Sequence, residues 1–201
     1  MDILYSLDML GTAAFAASGA YAGTRRDMDL LGVLVLGIVT ATGGGTLRDV
    51  LIGDTPPFIF KDETYLWVSI AVSLLVFIYN RCMHSVMNPL LYFDAVGLGT
   101  FVVIGTTKGI SHNMGLIGSV MMGVLTATAG GMIRDMLSSE IPMVLQREVY
   151  ASACIAGGIL LYVMHNIGFT SIPTLILSAL TVIAIRIYAV HRGWSLPKAE
   201  Q

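Results

Sequence analysis

Shifted by 86 positions without a gap, the sequence falls onto itself: Asp8 onto Asp94, Gly11 onto Gly97, Phe15 onto Phe101, Gly19 onto Gly105 and Gly23 onto Gly109. The match runs on through Gly32 and Gly118 and through Gly37 and Gly123. It then reaches "TATGGGTLRD" at 40–49 and "TATAGGMIRD" at 126–135, and ends with Pro56 on Pro142. Self-similarity at a fixed period constrains the whole fold, because each copy must build the same unit.

Hydropathy says what that unit is. Of the 201 residues, 55% are hydrophobic and 12% charged, and the mean hydropathy is +0.78, whereas soluble domains carry about 25% charged residues. Stretches suited to crossing a bilayer, which takes about 20 residues each, lie near 3–23, 30–52, 65–80, 91–108, 114–137, 149–165 and 172–190. An all-α membrane protein with seven transmembrane helices is expected, forming a single transmembrane domain over 1–201, since the connections are too short to fold separately. Repeat one covers about 3–80 and repeat two about 91–165. Three spans per copy is an odd number, so the second copy must enter the membrane from the opposite face. Inverted repeats of this kind place a substrate or ion site near the bilayer midplane, where the halves meet. The seventh helix, about 172–190, has no counterpart and is expected to pack outside the repeat pair.

Basic residues set the orientation, because cytoplasmic loops carry the excess of Lys and Arg. With the N-terminus outside, the inner side holds Arg25, Arg26, Arg81, Arg147, Arg192 and Lys198, and the outer side only Lys61 and Lys108. The C-terminus is therefore expected in the cytoplasm. Met1-Asp2-Ile3 offers no basic region or cleavage site, so the first span reads as retained. Cys82 and Cys154 form no disulfide or metal spacing. His84, His112, His165 and His191 sit far apart at loops or helix ends, and the 12 Met show no cluster; interfacial placement and packing are the plainer readings, and no metal site is expected.

Gly43-Gly44-Gly45 lies about halfway along the second span, and Gly130-Gly131, preceded by Ala129, holds the same place in the fifth. Glycine is worse than Ala in a helix by ~1 kcal/mol, so both spans are expected to kink or unwind there. Freed backbone groups at that depth must be buried in protein or line a water-filled cavity, which makes Thr40, Thr42, Thr126 and Thr128 candidates for a polar lining. Exposed half-helix ends would offer carbonyls to cations and amides to anions. Close helix packing, the plainer use of glycine, suits the GxxxG pairs Gly19/Gly23 and Gly105/Gly109. It does not explain an Arg-Asp pair one turn beyond each triplet.

Six charges fall within predicted spans: Asp8, Arg48, Asp49, Asp94, Arg134 and Asp135. Each would cost ~2.5–3.5 kcal/mol at the bilayer centre, so none is expected to face lipid. By position along the spans, Asp8, Arg48 and Asp49 share an outer layer, and Asp94, Arg134 and Asp135 an inner one. One Arg and two Asp per layer leave one net negative charge, which favours cations; structural ion pairing is the competing reading. Adjacent helix residues point ~100° apart, so Arg48 and Asp49 are expected to divide, one pairing inward and one facing the path. Arg186, near the cytoplasmic end of the last span, is expected to snorkel.

There is no P-loop, HExxH, nucleophile elbow or basic aromatic groove, and "GLGTFVVIGTTKG" at 97–109 has Val102 where a dinucleotide fingerprint needs its third glycine. An enzyme and a nucleic-acid partner are therefore not expected. The doubled "TAT[GA]GG..RD", in two three-span copies followed by a seventh span, resembles the trimeric intracellular cation channels in their prokaryotic form, some relatives of which have been catalogued as putative glycine transporters. The resemblance covers nearly the whole chain. It implies a homotrimer in a bacterial cytoplasmic membrane, a pore inside each protomer, monovalent K+ or Na+ as cargo, membrane lipids as neighbours and no cofactor. By position it puts Gly43, Gly44, Gly45, Gly130 and Gly131 at the constriction; Ala129 breaks the second triplet. The animal members' basic C-terminal tail and lipid-contacting lysines are not found. The competing reading is a secondary transporter of glycine or another small amino acid.

Overall fold

The computed structural model describes residues 3–83, 89–146, 149–169 and 171–192, and of 80–83 the backbone alone. Arg147, Lys198, His84 and the side chains of Arg81 and Cys82 lie outside the described residues. The described residues are all-helical: α1 (Ile3–Thr24), α2 (Leu30–Ile52), α3 (Phe58–Lys61), α4 (Thr64–Met83), α5 (Pro89–Ser111), α6 (Gly115–Leu137), α7 (Met143–Gln146), α8 (Ala151–Asn166) and α9 (Ile172–Arg192). Five of them, α1, α2, α5, α6 and α9, are long and apolar enough to cross a membrane; the apolar part of α4 (Thr64–Tyr79) and α8 are shorter. The two single-turn helices, α3 and α7, are too short for a periodic signal and carry no expectation from the sequence.

Local chemistry sets the helix ends. Asp29 precedes α2 and accepts the Gly32 N–H at 2.8 Å, satisfying one of the amides a helix start leaves free. Gly53 closes α2 at φ 77 and returns its N–H to the carbonyls of Asp49 and Val50, the left-handed cap that glycine adopts without a Cβ penalty.

Helices α1, α2, α5 and α6 form the centre, with α1 against α2 and α5, and α6 against α5 and α2. Helix α4 packs on α1 and α2 as α8 packs on α5 and α6, and α9 lies against α5 and α8. Where α1 and α5 cross, Phe15 and Phe101 meet edge to face with ring centroids 5.2 Å apart. A Cβ on Gly97 would strike the Phe15 ring, and one on Gly11 the Phe101 ring, so each repeat supplies the ring that fills the gap left by the other's glycine.

The unwound turns expected at the glycine triplets are absent. Both α2 and α6 are continuous helices through Gly43–Gly45 and Ala129–Gly131. The balance of magnitudes explains it: glycine costs ~1 kcal/mol per residue in a helix, whereas a backbone group left unsatisfied in hydrocarbon costs several. The glycines instead let the helices touch. A Cβ on Gly44 would lie 2.0 Å from the Thr126 carbonyl oxygen, and one on Gly130 would lie 2.2 Å from that of Thr40. Gly19 and Gly105 do likewise for the hydroxyls of Thr40 and Thr126, the close-packing use read from their GxxxG spacing.

Candidate functional site: two charged cavities and the septum between them

Each charged layer borders a cavity. The first cavity, about 570 Å³, takes in Tyr5, Asp8, Arg48, Asp49, Phe58 and Tyr65. The second, about 560 Å³, takes in Ala22, Arg25, Arg26, Asp135, Glu140 and Gln146. Tyr5 and Asp8 lie near the start of α1 and Ala22 near its end, so the cavities open at opposite ends of a helix that at 1.5 Å per residue spans about 33 Å.

Arg48 and Asp49 do not divide between core and path as expected; they bind each other. Arg48 donates from Nε and from its terminal nitrogen to Asp49 Oδ1, both at 2.8 Å, and Asp49 Oδ2 accepts the Phe58 N–H at 2.9 Å. Repeat two does the same: Arg134 holds Asp135 Oδ1 at 2.8 Å, and Asp135 Oδ2 accepts the Met143 N–H at 2.8 Å. Neighbours on one helix can meet this way because the long arginine side chain curls back to its carboxylate. The result is a pinned single-turn helix, α3 or α7, folded over the end of α2 or α6. Phe58, thus held, lies under the Arg48 guanidinium at 5.6 Å.

Two tyrosines complete the clusters. Tyr65 donates to Asp8 Oδ2 at 2.8 Å and Tyr150 to Asp94 Oδ1 at 3.1 Å. These tyrosines are 85 positions apart, as are Phe58 and Met143, so repeat two is one residue shorter between its Arg-Asp pair and its pinned helix. Pro142 is therefore the counterpart of Pro57, which precedes α3, and not of Pro56 as the ungapped shift implies. That one-residue slip hid the tyrosine pair in an otherwise readable repeat.

The clusters differ where they reach across the molecule. Arg134, fully buried, donates to Asp94 Oδ1 at 2.8 Å and to Ser18 Oγ at 2.5 Å. The position equivalent to Ser18 is Ile104, which borders the first cavity and offers no acceptor. Asp8 makes no ion pair with any described residue. Arg186 does not snorkel: its side chain is 2% exposed and its guanidinium lies 4.6 Å from the Tyr150 ring centroid. Burial over an aromatic face suits the weakly hydrated, delocalised guanidinium.

At the mouths, ion pairs link the repeats. Asp54, after α2, meets Lys61 at 2.5 Å and Lys108 of α5 at 3.0 Å. Hydrogen bonds from these two ammonium groups hold its carboxyl down at about 2. The Thr64 hydroxyl and amide, with Tyr5, lower Asp62. Glu140, the counterpart of Asp54, pairs with Arg26 of repeat one.

Between the cavities lies a septum of hydrocarbon and backbone: the Gly44–Thr126 and Gly130–Thr40 contacts, flanked by buried Phe15, Ala41, Leu98 and Ala127. The threonine hydroxyls expected to line a polar path turn inward on their own helices. Thr40 donates to Leu36 O, Thr42 to Ile38 O and Thr126 to Met122 O, and Thr128 is buried. A threonine hydroxyl within a helix reaches the carbonyl four residues back.

An all-helical membrane protein with charged cavities at both ends of a shared bundle is the class this arrangement defines. The family described as "Glycine transporter" matches residues 5–81 and 91–166, one segment for each repeat, and the chain belongs to that family. A UPF0126 membrane protein of Vibrio cholerae is 43% identical over 98% of this chain and 82% of its own. The UPF0126 inner membrane protein YadS of Escherichia coli K12 is 42% identical over 97% of this chain and 95% of its own. Among solved structures, a TRIC cation channel determined to explain conductance superposes with a TM-score of 0.90 at 38% identity, covering 100% of this chain and 98% of that one. The trimeric intracellular cation channel orthologue from Rhodobacter sphaeroides also reaches 0.90, at 31% identity, over 96% of this chain and all of its own. The resemblance read from the doubled glycine motif thus extends to the whole three-dimensional fold.

Proposed function

We propose that the protein is a channel for monovalent cations of the potassium type, with a pore inside each protomer of a homotrimer. The observation that carries this reading is the pair of charged cavities of similar size at opposite ends of α1, with the close crossing of α2 and α6 between them. The family's solved cation channels, superposing over the whole chain, support it. Conduction requires the septum to part. Its weakest element is the crossing of α2 and α6, where Gly44 and Gly130 leave backbone against backbone with no side chain interlocked. Seven spans are proposed, with α4 and α8 as the third and sixth, in inverted repeats about 3–80 and 91–165. The first cavity then faces outward, beside the N-terminus, and the C-terminus lies in the cytoplasm of a bacterial cell.

The test is current through purified protein in a planar bilayer with potassium on both sides. Discrete single-channel steps are expected. A silent bilayer, together with saturable glycine uptake into vesicles, would overturn the channel in favour of the carrier that the family description names.

A further inference from the structure

We infer that charge selection is one-sided and set by Asp8, with the matching Asp94 and both Arg-Asp pairs serving structure. This rests on the channel reading and says which residue of that path chooses the ion. Of the four carboxylates within the charged layers, three are committed. Asp49 and Asp135 each give one oxygen to the neighbouring arginine and the other to the amide that starts a pinned helix. Asp94 takes Arg134 and Tyr150 on one oxygen and is fully buried. Asp8 receives only the neutral Tyr65 hydroxyl, and it borders the first cavity.

The inequality has a cause in two positions. Arg134 spans from α6 to Asp94 because Ser18 holds the far side of the same guanidinium nitrogen. Ile104 stands in that place for Arg48, so Arg48 stays turned upon Asp49 and over Phe58, and Asp8 is left without an ion pair among the described residues. Helix α9 adds Arg186 beside Tyr150, and no helix among the described residues brings a cation to Tyr65 in the same way.

The charges around each cavity agree. In the first, Arg48 balances Asp49, and Lys61 and Lys108 balance Asp54 and Asp62, leaving Asp8 as one surplus negative charge. Around the second, Arg134 with Arg25 and Arg26 balances Asp94, Asp135 and Glu140, leaving no surplus among the described residues. A cation gains electrostatic attraction on the Asp8 side alone, so attraction to ions is unequal across the septum and conductance should rectify at low ionic strength, where screening is weak.

Reversal potentials in a potassium chloride gradient test this on wild type, Asp8→Asn, Asp8→Glu and the double change Arg48→Gln with Asp49→Asn, each first shown to unfold at the wild-type temperature or, failing that, compared as Asp8→Glu rescue against Asp8→Asn. Asp8→Asn should lower the potassium-to-chloride permeability ratio by roughly tenfold, the scale of one unit charge about 4 Å from a water-filled path, and should abolish rectification. Asp8→Glu should restore both, and Arg48→Gln with Asp49→Asn, which removes the pair without changing the cavity's net charge, should leave the ratio unchanged. An unaltered ratio in Asp8→Asn, or an equal loss when Arg48 and Asp49 are neutralised together, overturns the assignment. If the wild type proves silent, the channel reading fails by itself. The Asp8 site is then read by anomalous scattering from crystals soaked in thallium(I): a peak beside Asp8 that Asp8→Asn removes supports it, and no peak there overturns it.

Discussion

Replacing Gly44 by Ala tests whether glycine serves contact or flexibility in α2. The added carbon would lie 2.0 Å from the Thr126 carbonyl oxygen, whereas a carbon-to-oxygen contact settles near about 3.3 Å. The obstacle is backbone, so no rotamer change relieves it, and α2 and α6 must separate by more than about 1 Å. Overpacking of this kind costs typically 1–3 kcal/mol, occasionally more, against which alanine returns ~1 kcal/mol of helix propensity. Gly43 supplies the control on the same turn. A Cβ there meets the Ile133 Cδ1 at 2.9 Å, the free end of a flexible side chain, and the Gly130 Cα at 3.9 Å, an ordinary contact, and repeat two already carries Ala129 at the equivalent position. Gly43→Ala should therefore be neutral or gain up to ~1 kcal/mol. Thermal unfolding of the purified proteins in one detergent should place Gly44→Ala below Gly43→Ala by roughly 4–8 °C, taking about 2–4 °C per kcal/mol for a chain of this size. If Gly44→Ala unfolds at or above Gly43→Ala, the helices do not cross there, and glycine must be explained by flexibility after all.

Asp94→Ala leaves Arg134 buried without one of its two carboxylates, a loss of about 3–5 kcal/mol for a broken buried pair, whereas Asp8→Ala removes one hydrogen bond and no ion pair; monodisperse elution in detergent should survive the second change and fail with the first. The Asp54 tether should persist across the neutral range. Its carboxyl is depressed to about 2 from 3.8, so its contribution is complete above the unfolded value and fades only as pH falls toward the folded one. The infrared difference between wild type and Asp54→Asn should then still show an ionised carboxylate near about pH 3, and a signal lost near its ordinary value would remove the tether.

Helix positions, the repeat and the grouping of charges into two layers were all legible in the sequence, because each rests on contrast with lipid. A helix beside lipid must stay apolar over its length, and a charge within it must find company, whatever the packing. The tertiary structure alone decided how the special residues are used. Gly44 and Gly130 mark a contact between helices from different repeats, which a composition unfavourable to helix cannot announce. Arg48 turns to its own neighbour, and Arg134 reaches further, because of what stands at Ile104 and Ser18, each more than fifty residues along the chain from the arginine it governs. Tyr65 and Tyr150 fell out of register by one residue, and Arg186 found an aromatic face where its position near a helix end suggested the membrane surface. Patterning along a chain reports which residues must leave lipid; the partner each one meets depends on which faces the packed helices bring together.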